Sequence, residues 1–300
     1  MMTRQQDSIV RSVLITGAST GIGAACALEL DRRGFRVFAG VRNDAAVQRL
    51  RQQGSDRLTP VMLDVTDPAG IAEAARSVAE AVGDEGLWGL VNNAGIVVAG
   101  PLEVLPLDEL RKQLEINVIG QVAVTQAFLP LLRTARGRIV NMGSISGRLS
   151  APFLGPYSAS KFAMEAITDS LRLELRRWGI AVSIVEPVSI KTPIWEKTEV
   201  EADELAKKAP PQLEELYGAD LAAFRAETHR LAEHGLPVER VVRAVVHALT
   251  ARRPKTRYPV GAQAKWGIFA LQFVSDRTRD WIVRRAMGLK RWKRGASSEG

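Results

Sequence analysis

The chain has 300 residues, 46% of them apolar, with 41 Lys and Arg against 33 Asp and Glu for a net charge of +8. That length and apolar share suit one large α/β domain with room for a small appendage; the single cysteine, Cys26, excludes an intramolecular disulfide or a cysteine-rich zinc site and reads as a packing residue. No run of eighteen apolar residues occurs, so no spanning helix is expected; residues 1–7 lack the apolar core of a secretory signal, which points to a reducing, cytoplasmic setting.

Val13-Leu14-Ile15-Thr16 reads as a buried strand that passes into Gly17-Ala18-Ser19-Thr20-Gly21-Ile22-Gly23 and then a helix-forming stretch over 24–30. Glycines at such a turn let the backbone approach a pyrophosphate, and the helix N-terminus offers it unpaired N–H groups and a positive dipole end. Residues 36–40 form a second strand, 44–53 a helix and 58–63 a third strand, after which Asp67 caps a helix that Pro68 begins. A fourth strand ends over 89–92, and a long helix runs over 107–133. The fifth strand is 138–142, a helix follows over 157–178, and 181–186 is the sixth strand. This alternation predicts an α/β fold with a doubly wound parallel sheet of Rossmann type, in one catalytic domain over 1–262. Residues 190–235 interrupt it with an acidic stretch over 196–204, Pro210-Pro211 and a helical run over 213–232. A basic amphipathic extension occupies 263–300.

Tyr157 and Lys161 stand four apart in Tyr157-Ser158-Ala159-Ser160-Lys161, thirteen residues after Ser144. On a helix that spacing shares a face, so the ammonium can sit beneath the phenol. A phenol of ordinary pKa, about 10, is a poor base near neutrality, and a neighbouring cation lowers that value. Ser144 supplies a hydroxyl that can hold a substrate oxygen while a proton moves. Alone, a Tyr-x-x-x-Lys pair is ordinary helix surface; the glycine turn upstream gives it a context.

Together, Thr16-Gly17-x-x-x-Gly21-x-Gly23, Asn92-Asn93-Ala94-Gly95, Asn117, Ser144 and Tyr157-x-x-x-Lys161 resemble the classical short-chain dehydrogenases/reductases over about residues 11–255. Segments 31–37, 89–95, 129–132 and 182–187 are similar to the retinol and hydroxysteroid dehydrogenase branch of that family. The resemblance implies reversible hydride transfer between a nicotinamide and an alcohol or carbonyl carbon. It makes Tyr157 the proton donor or acceptor, with Lys161 lowering its pKa and binding the nicotinamide ribose. Ser144 holds the substrate oxygen, and Asn117 holds a water linking Lys161 to solvent. Cofactor contacts are implied at Gly17, Ser19, Thr20, Gly21, Ile22 and Gly23, at Asn93, Ala94 and Gly95, and at Tyr157 and Lys161. Asp64 and Val65 stand where the family meets the adenine, although a capping role explains Asp64 equally well. Pro187 and Thr192 fall beside the nicotinamide amide, with Val188 in place of the family's glycine. The insertion becomes a cover over the substrate, and the long helices imply a homo-oligomer.

At the end of the second strand, Ala39-Gly40-Val41-Arg42-Asn43 has no acid to accept from ribose hydroxyls, and Arg42 can bind a 2′-phosphate. NADP(H) is therefore favoured, with NAD(H) the alternative. Ile96, Val97, Val98, Leu149, Phe153, Leu154, Ile194 and Trp195 suit a lipophilic alcohol or ketone, of steroid or retinoid type by the resemblance. From residue 252 onward thirteen Lys and Arg face three Asp and Glu, against 28 and 30 in the rest. An apolar run over 265–274 and a Trp- and Arg-rich run over 281–294 fit an interfacial helix on an anionic bilayer. A helix packed on its own domain or on a partner is the plainer reading of the same runs. No nucleic-acid motif accompanies the charge, so no nucleic acid is expected as a partner. A non-catalytic dinucleotide-binding sensor or scaffold is the alternative function, and the presence of both Tyr157 and Lys161 weighs against it.

Overall fold

Strands that alternate with helices bury both faces, so they can be short and apolar throughout. The computed structural model describes residues 10–207, 212–261 and 273–289. Seven strands form one parallel sheet in the order β3-β2-β1-β4-β5-β6-β7. They are β1 (Ser12–Ile15), β2 (Arg36–Val41), β3 (Leu58–Met62), β4 (Gly89–Asn92), β5 (Arg138–Met142), β6 (Ala181–Pro187) and β7 (Arg257–Val260). In β1, Val13 and Ile15 point to the core layer shared with α1 (Gly21–Arg32) and the C-terminal helix of the sheet, while Leu14 points to the opposite layer. The doubly wound sheet expected from the alternation is the one observed.

The helices follow in chain order. α2 (Asp44–Gln53) is capped by Asn43, whose Oδ1 accepts from Ala46 N at 2.9 Å. α3 (Pro68–Val82) begins at Pro68 with Asp67 as its cap, accepting from Ala69 N at 3.0 Å. The long helix predicted over 107–133 has three parts: α4 (Leu107–Leu114), a π-helical turn (Glu115–Ile119) and α5 (Gly120–Ala135). α6 (Gly155–Glu174) starts two residues before Tyr157. α7 (Ile194–Lys207) and α8 (Gln212–Glu233) occupy the insertion, and α9 (Glu239–Thr250) packs against α1. α10 (Asp276–Ala286) is the described part of the C-terminal extension. The tail residues 262–272 and 290–300, which hold most of the apolar run and the last basic cluster, lie outside the described residues.

One stretch bears on the expectation that no helix spans a membrane. Residues Leu107–Ala135 are long and apolar enough to cross a membrane by length and composition, although no unbroken apolar run exists. Averaged hydropathy tolerates scattered polar positions that a run does not. In this fold those positions, Gln113, Asn117, Gln121 and Thr125, are buried along with Val124, Phe128 and Leu132. The stretch is a layer of the domain, with its polar stripe turned inward.

Candidate active site

The glycine turn closes on the carboxyl end of β1, next to β4, where the strand order reverses and a crevice opens. Gly17 has φ +64°, and a Cβ there would stand 2.8 Å from Ala94 Cα. A Cβ on Gly23 would meet Gly17 O at 2.3 Å, so both glycines are required by close approach. Thr16 Oγ1 accepts from Asn93 N at 2.9 Å and Ala94 N at 3.0 Å, and Asn93 Nδ2 donates to Thr16 O at 3.0 Å and Gly17 O at 3.1 Å. The turn and the end of β4 are thus one stitched unit, with Gly95 against the Asn117 amide. Thr20 precedes α1 in an extended conformation without a side-chain cap, and no acid occupies the first turn. The first N–H groups of α1 carry no side-chain acceptor, the arrangement an anionic pyrophosphate fits. Ser19, Gly21 and Ile22 are half-buried around them, and Thr192 reaches the same mouth, within 3.4 Å of where a Cβ on Gly21 would lie.

Along the adenosine side, Arg42 and Asp64 face each other at 3.9 Å, with Arg42 61% exposed. Asp64 Oδ1 accepts from Thr66 N at 2.9 Å and Thr66 Oγ1 at 2.8 Å. Partial burial works to raise the Asp64 carboxyl, but the Thr66 bonds and Arg42 outweigh it and hold it low. Asp64 therefore has a turn-capping role, with its other oxygen toward Arg42, while Val65 is buried beside it. Arg49 on α2, which the sequence reading passed over, donates to Ser19 O in the glycine turn.

Ser144 opens a 3₁₀ turn (Ile145–Gly147) after β5, its Oγ accepting from Ser146 N at 3.1 Å. Its hydroxyl faces the Tyr157 phenol closely enough to favour the ionised form of that phenol. Lys161 is buried, places its Nζ 5.6 Å from the Tyr157 ring centre, and donates to Met142 O at the end of β5, 2.8 Å away. The three side chains come together. The electrostatics differ from expectation. Burial raises the Tyr157 pKa and the Ser144 hydroxyl only partly offsets it, so the phenol is held protonated. Burial also lowers Lys161, to about 8. The ammonium is aimed at a main-chain carbonyl and does not touch the phenol oxygen.

Asn117 lies in the π turn, but its amide is committed: Oδ1 accepts from Ile96 N at 2.9 Å, and Nδ2 donates to Ile96 O at 3.0 Å and Ser160 Oγ at 3.2 Å. Gln113 bonds Val98 N (2.7 Å) and Ile96 O (3.1 Å), Gln121 bonds Ala94 O (2.7 Å), and Thr125 accepts from Asn92 Nδ2 (2.9 Å). Four side chains at four-residue spacing thus pin the chain beyond β4. The sequence held the signal, a polar position every fourth residue in an apolar helix.

Pro187 is the buried last residue of β6, paired with Val260, and Val188 finds its space over Gly261, whose φ is +124°. Glycine at 261 makes room for a side chain where the family has none. Phe153 has φ +66°, a left-handed conformation that costs a bulky residue strain. It is held by edge-to-face contacts with Phe224 (5.5 Å) and Tyr217 (6.3 Å) on α8 and by the bond from Gly100 N to its carbonyl, 2.8 Å. An apolar cleft of about 570 Å³, mouth included, opens there between the 99–106 loop, Phe153, α7 and α8, lined among others by Val104, Leu105, Leu205 and Phe224.

A doubly wound sheet with an anion-accepting glycine turn at its switch point, and a Ser–Tyr–Lys group beside that turn, defines a dinucleotide-dependent oxidoreductase of CH–OH groups. The model of the short chain dehydrogenase family matches residues 11–203, and the chain belongs to that family. It is 41% identical over 282 residues to the 17-beta-hydroxysteroid dehydrogenase type 6 of Bos taurus, covering 91% of this chain and 88% of that protein. It is 40% identical to the retinol dehydrogenase 5 of Mus musculus, covering 91% and 89%. Among solved structures, a short chain dehydrogenase from Burkholderia cenocepacia J2315 in complex with NADP superposes with a TM-score of 0.69 at 26% identity, covering 93% and 97%. A relative from Burkholderia phymatum in complex with NAD gives 0.74 at 26% identity, covering 88% and 95%.

Proposed function

We propose that the chain interconverts a lipophilic alcohol and its carbonyl compound, of steroid or retinoid class, with NADP(H) preferred. The observation that carries the reaction is the Ser144–Tyr157 hydroxyl pair with Lys161 beneath it, beside a glycine turn without a side-chain cap. The nicotinamide, when bound, supplies or accepts the hydride. The α1 N-terminus and the backbone of residues 17–23 hold its pyrophosphate, and residues 93–95, Asp64, Val65, Pro187 and Thr192 border the rest of the cofactor. Lys161 binds the nicotinamide ribose. Ser144 fixes the substrate oxygen and Tyr157 transfers the proton; a phenol kept protonated by burial suits the reductive direction, giving its proton to the developing alkoxide. The Asn117 amide is occupied, so a water at this turn would rest on the main chain.

The substrate class rests on the two named relatives and on the apolar cleft beneath α7 and α8, which we infer to be the cover. NADP(H) rests on Arg42, exposed at the end of β2 with no acid at Val41. Phe273 and Trp281, 74% and 61% exposed in a basic segment, favour contact with a lipid surface. Exposed Ile119 and Phe162 on the long helices favour a homo-oligomer, which light scattering tests by mass. The deciding experiment is initial rates with NADPH and NADH against retinals, ketosteroids and small aromatic ketones, with Tyr157→Phe alongside. Turnover with NADPH that is lost in the variant upholds the proposal. Cofactor binding without turnover on any carbonyl moves the chain to the sensor reading.

A further inference from the structure

Behind the proton-transfer group lies a set of charged side chains that none of its assigned roles uses. Arg148 ends the 3₁₀ turn that Ser144 opens. Its Nε donates to Glu186 Oε1 at 3.0 Å, and its Nη2 stands 3.1 Å from Glu165 Oε2. Glu165 sits on α6 one turn beyond Lys161 and two beyond Tyr157; Glu186 is on β6, next to Pro187. The two carboxylate side chains are 8% and 5% exposed. Arg257, the first residue of β7, bonds Glu165, lies 3.6 Å from Glu186, and donates to both oxygens of Asp169 at 2.8 Å.

A buried ion set repays its desolvation poorly as a source of stability, so its geometry is the better guide to its use. Four elements meet in it: the Ser144 turn, α6, β6 and β7. The turn is itself rigid, with Gly147 N bonded to Ser144 O and Arg148 N to Ile145 O, each at 2.9 Å. It lies flat on α6, where a Cβ on Gly147 would stand 2.9 Å from Lys161 O and 3.2 Å from Glu165 Cγ. A shift of Arg148 would therefore carry Ser144 with it, relative to Tyr157.

We propose that Arg148, forked across Glu165 and Glu186, is a positioning residue that sets the Ser144 hydroxyl against the Tyr157 hydroxyl. The inference rests on the proton-transfer reading of those two groups. A planar guanidinium reaches two carboxylates at once; a lysine reaches one. A small displacement of a group that orients a reacting atom slows the chemistry more than it weakens binding.

The test is a double-mutant cycle of Arg148→Lys with Ser144→Ala, measuring kcat, KM and the NADPH dissociation constant. Arg148→Lys is expected to lower kcat by about tenfold or more, with KM and cofactor binding changed by less than about twofold. In the Ser144→Ala background the same substitution should change kcat by less than about twofold, because no hydroxyl is left to misplace. Equal losses in both backgrounds, or a rise in KM with kcat intact, overturn the proposal. Should Arg148→Lys fail to fold, Glu186→Gln, which keeps volume and an acceptor, takes its place in the cycle with the same two outcomes. If the wild-type protein turns over no carbonyl, the functional reading fails separately, and amide hydrogen exchange reads the clamp. Faster exchange at Gly147 and Arg148 in Arg148→Lys, by about tenfold or more, upholds it, and unchanged exchange overturns it.

Discussion

Two carboxyls and a guanidinium buried together must settle where a proton sits. Burial, then the neighbouring Glu186, push Glu165 up to about 7, while Arg148 and Arg257 pull the other way. Asp169, held low by its arginine partners Arg172 and Arg257 against the effect of burial, completes the charged surroundings. The native state then keeps a proton that the unfolded chain releases near the ordinary glutamate value of 4.5. Between those values the folded protein binds more protons, so this group's contribution to stability falls as pH rises from about 4.5 to about 7 and is flat above. Glu165→Gln removes the titration. Melting temperatures of the two proteins across pH 4 to 8 should therefore lie closest at the acid end, where both side chains are neutral, and separate as pH rises to about 7, with the extra downward slope only in the wild type; parallel curves would refute the assignment. Arg42 carries the second prediction at this scale. Charge-assisted bonds to a phosphate are worth about 1.5–3 kcal/mol, so Arg42→Ala should raise KM for NADPH by roughly ten- to hundredfold and leave NADH little changed. Equal effects on both cofactors would remove Arg42 as the selector.

Elements differ in how much of themselves they write into local sequence. The first six strands were legible because burial on both faces leaves apolar runs between turn residues, as at Val13-Leu14-Ile15. β7 was not: Arg257-Tyr258-Pro259-Val260 has two buried positions, and a proline is tolerated at the sheet's edge. The amphipathic α9 was readable, with Val241, Val242, Val245, Val246 and Leu249 on one stripe, yet it falls after the alternation has broken. Ser144, Tyr157 and Lys161 stood out because a helical turn and a fixed motif order are local facts. The Arg148 clamp spans residues 148 to 257, a distance no window can bridge, and the sign of the Tyr157 shift depends on burial that spacing does not report. The polar face of the long helix gives the prediction for this scale. Gln113→Leu leaves Val98 N without its partner, while Ile96 O keeps Asn117 Nδ2, and an orphaned buried N–H costs about 1–3 kcal/mol. Melting should fall by several degrees, at about 2–4 °C per kcal/mol for large single domains. An unchanged melting point would mean water replaces the amide.

At the scale of the whole molecule, charge and access converge on one side. α10 lies across a groove of about 1370 Å³, mouth included, whose other wall is the loop following Ser144, with Arg148, Leu149, Pro152 and Phe162 facing Arg279 and Val283. α10 therefore borders the loop that follows Ser144, and the apolar cleft under α7 and α8 shares Phe153 with that groove. A water-poor substrate is concentrated in lipid, so an enzyme held at a bilayer by this face would meet it where it resides. Each Lys or Arg near an anionic surface contributes about 1 kcal/mol, screened within roughly 8 Å at physiological salt. The exposed indole of Trp281 adds the part that salt does not screen. The full chain should co-sediment with vesicles containing phosphatidylserine and stay in solution with neutral ones. Raising the salt to about 0.5 M should release most of it. Trp281→Ala should weaken the salt-resistant remainder while leaving turnover of a detergent-dispersed substrate intact. Equal binding to neutral and anionic vesicles would put the apolar face ahead of the charge. No binding to either would leave the extension as a helix packed on its own domain, closing the groove from one side.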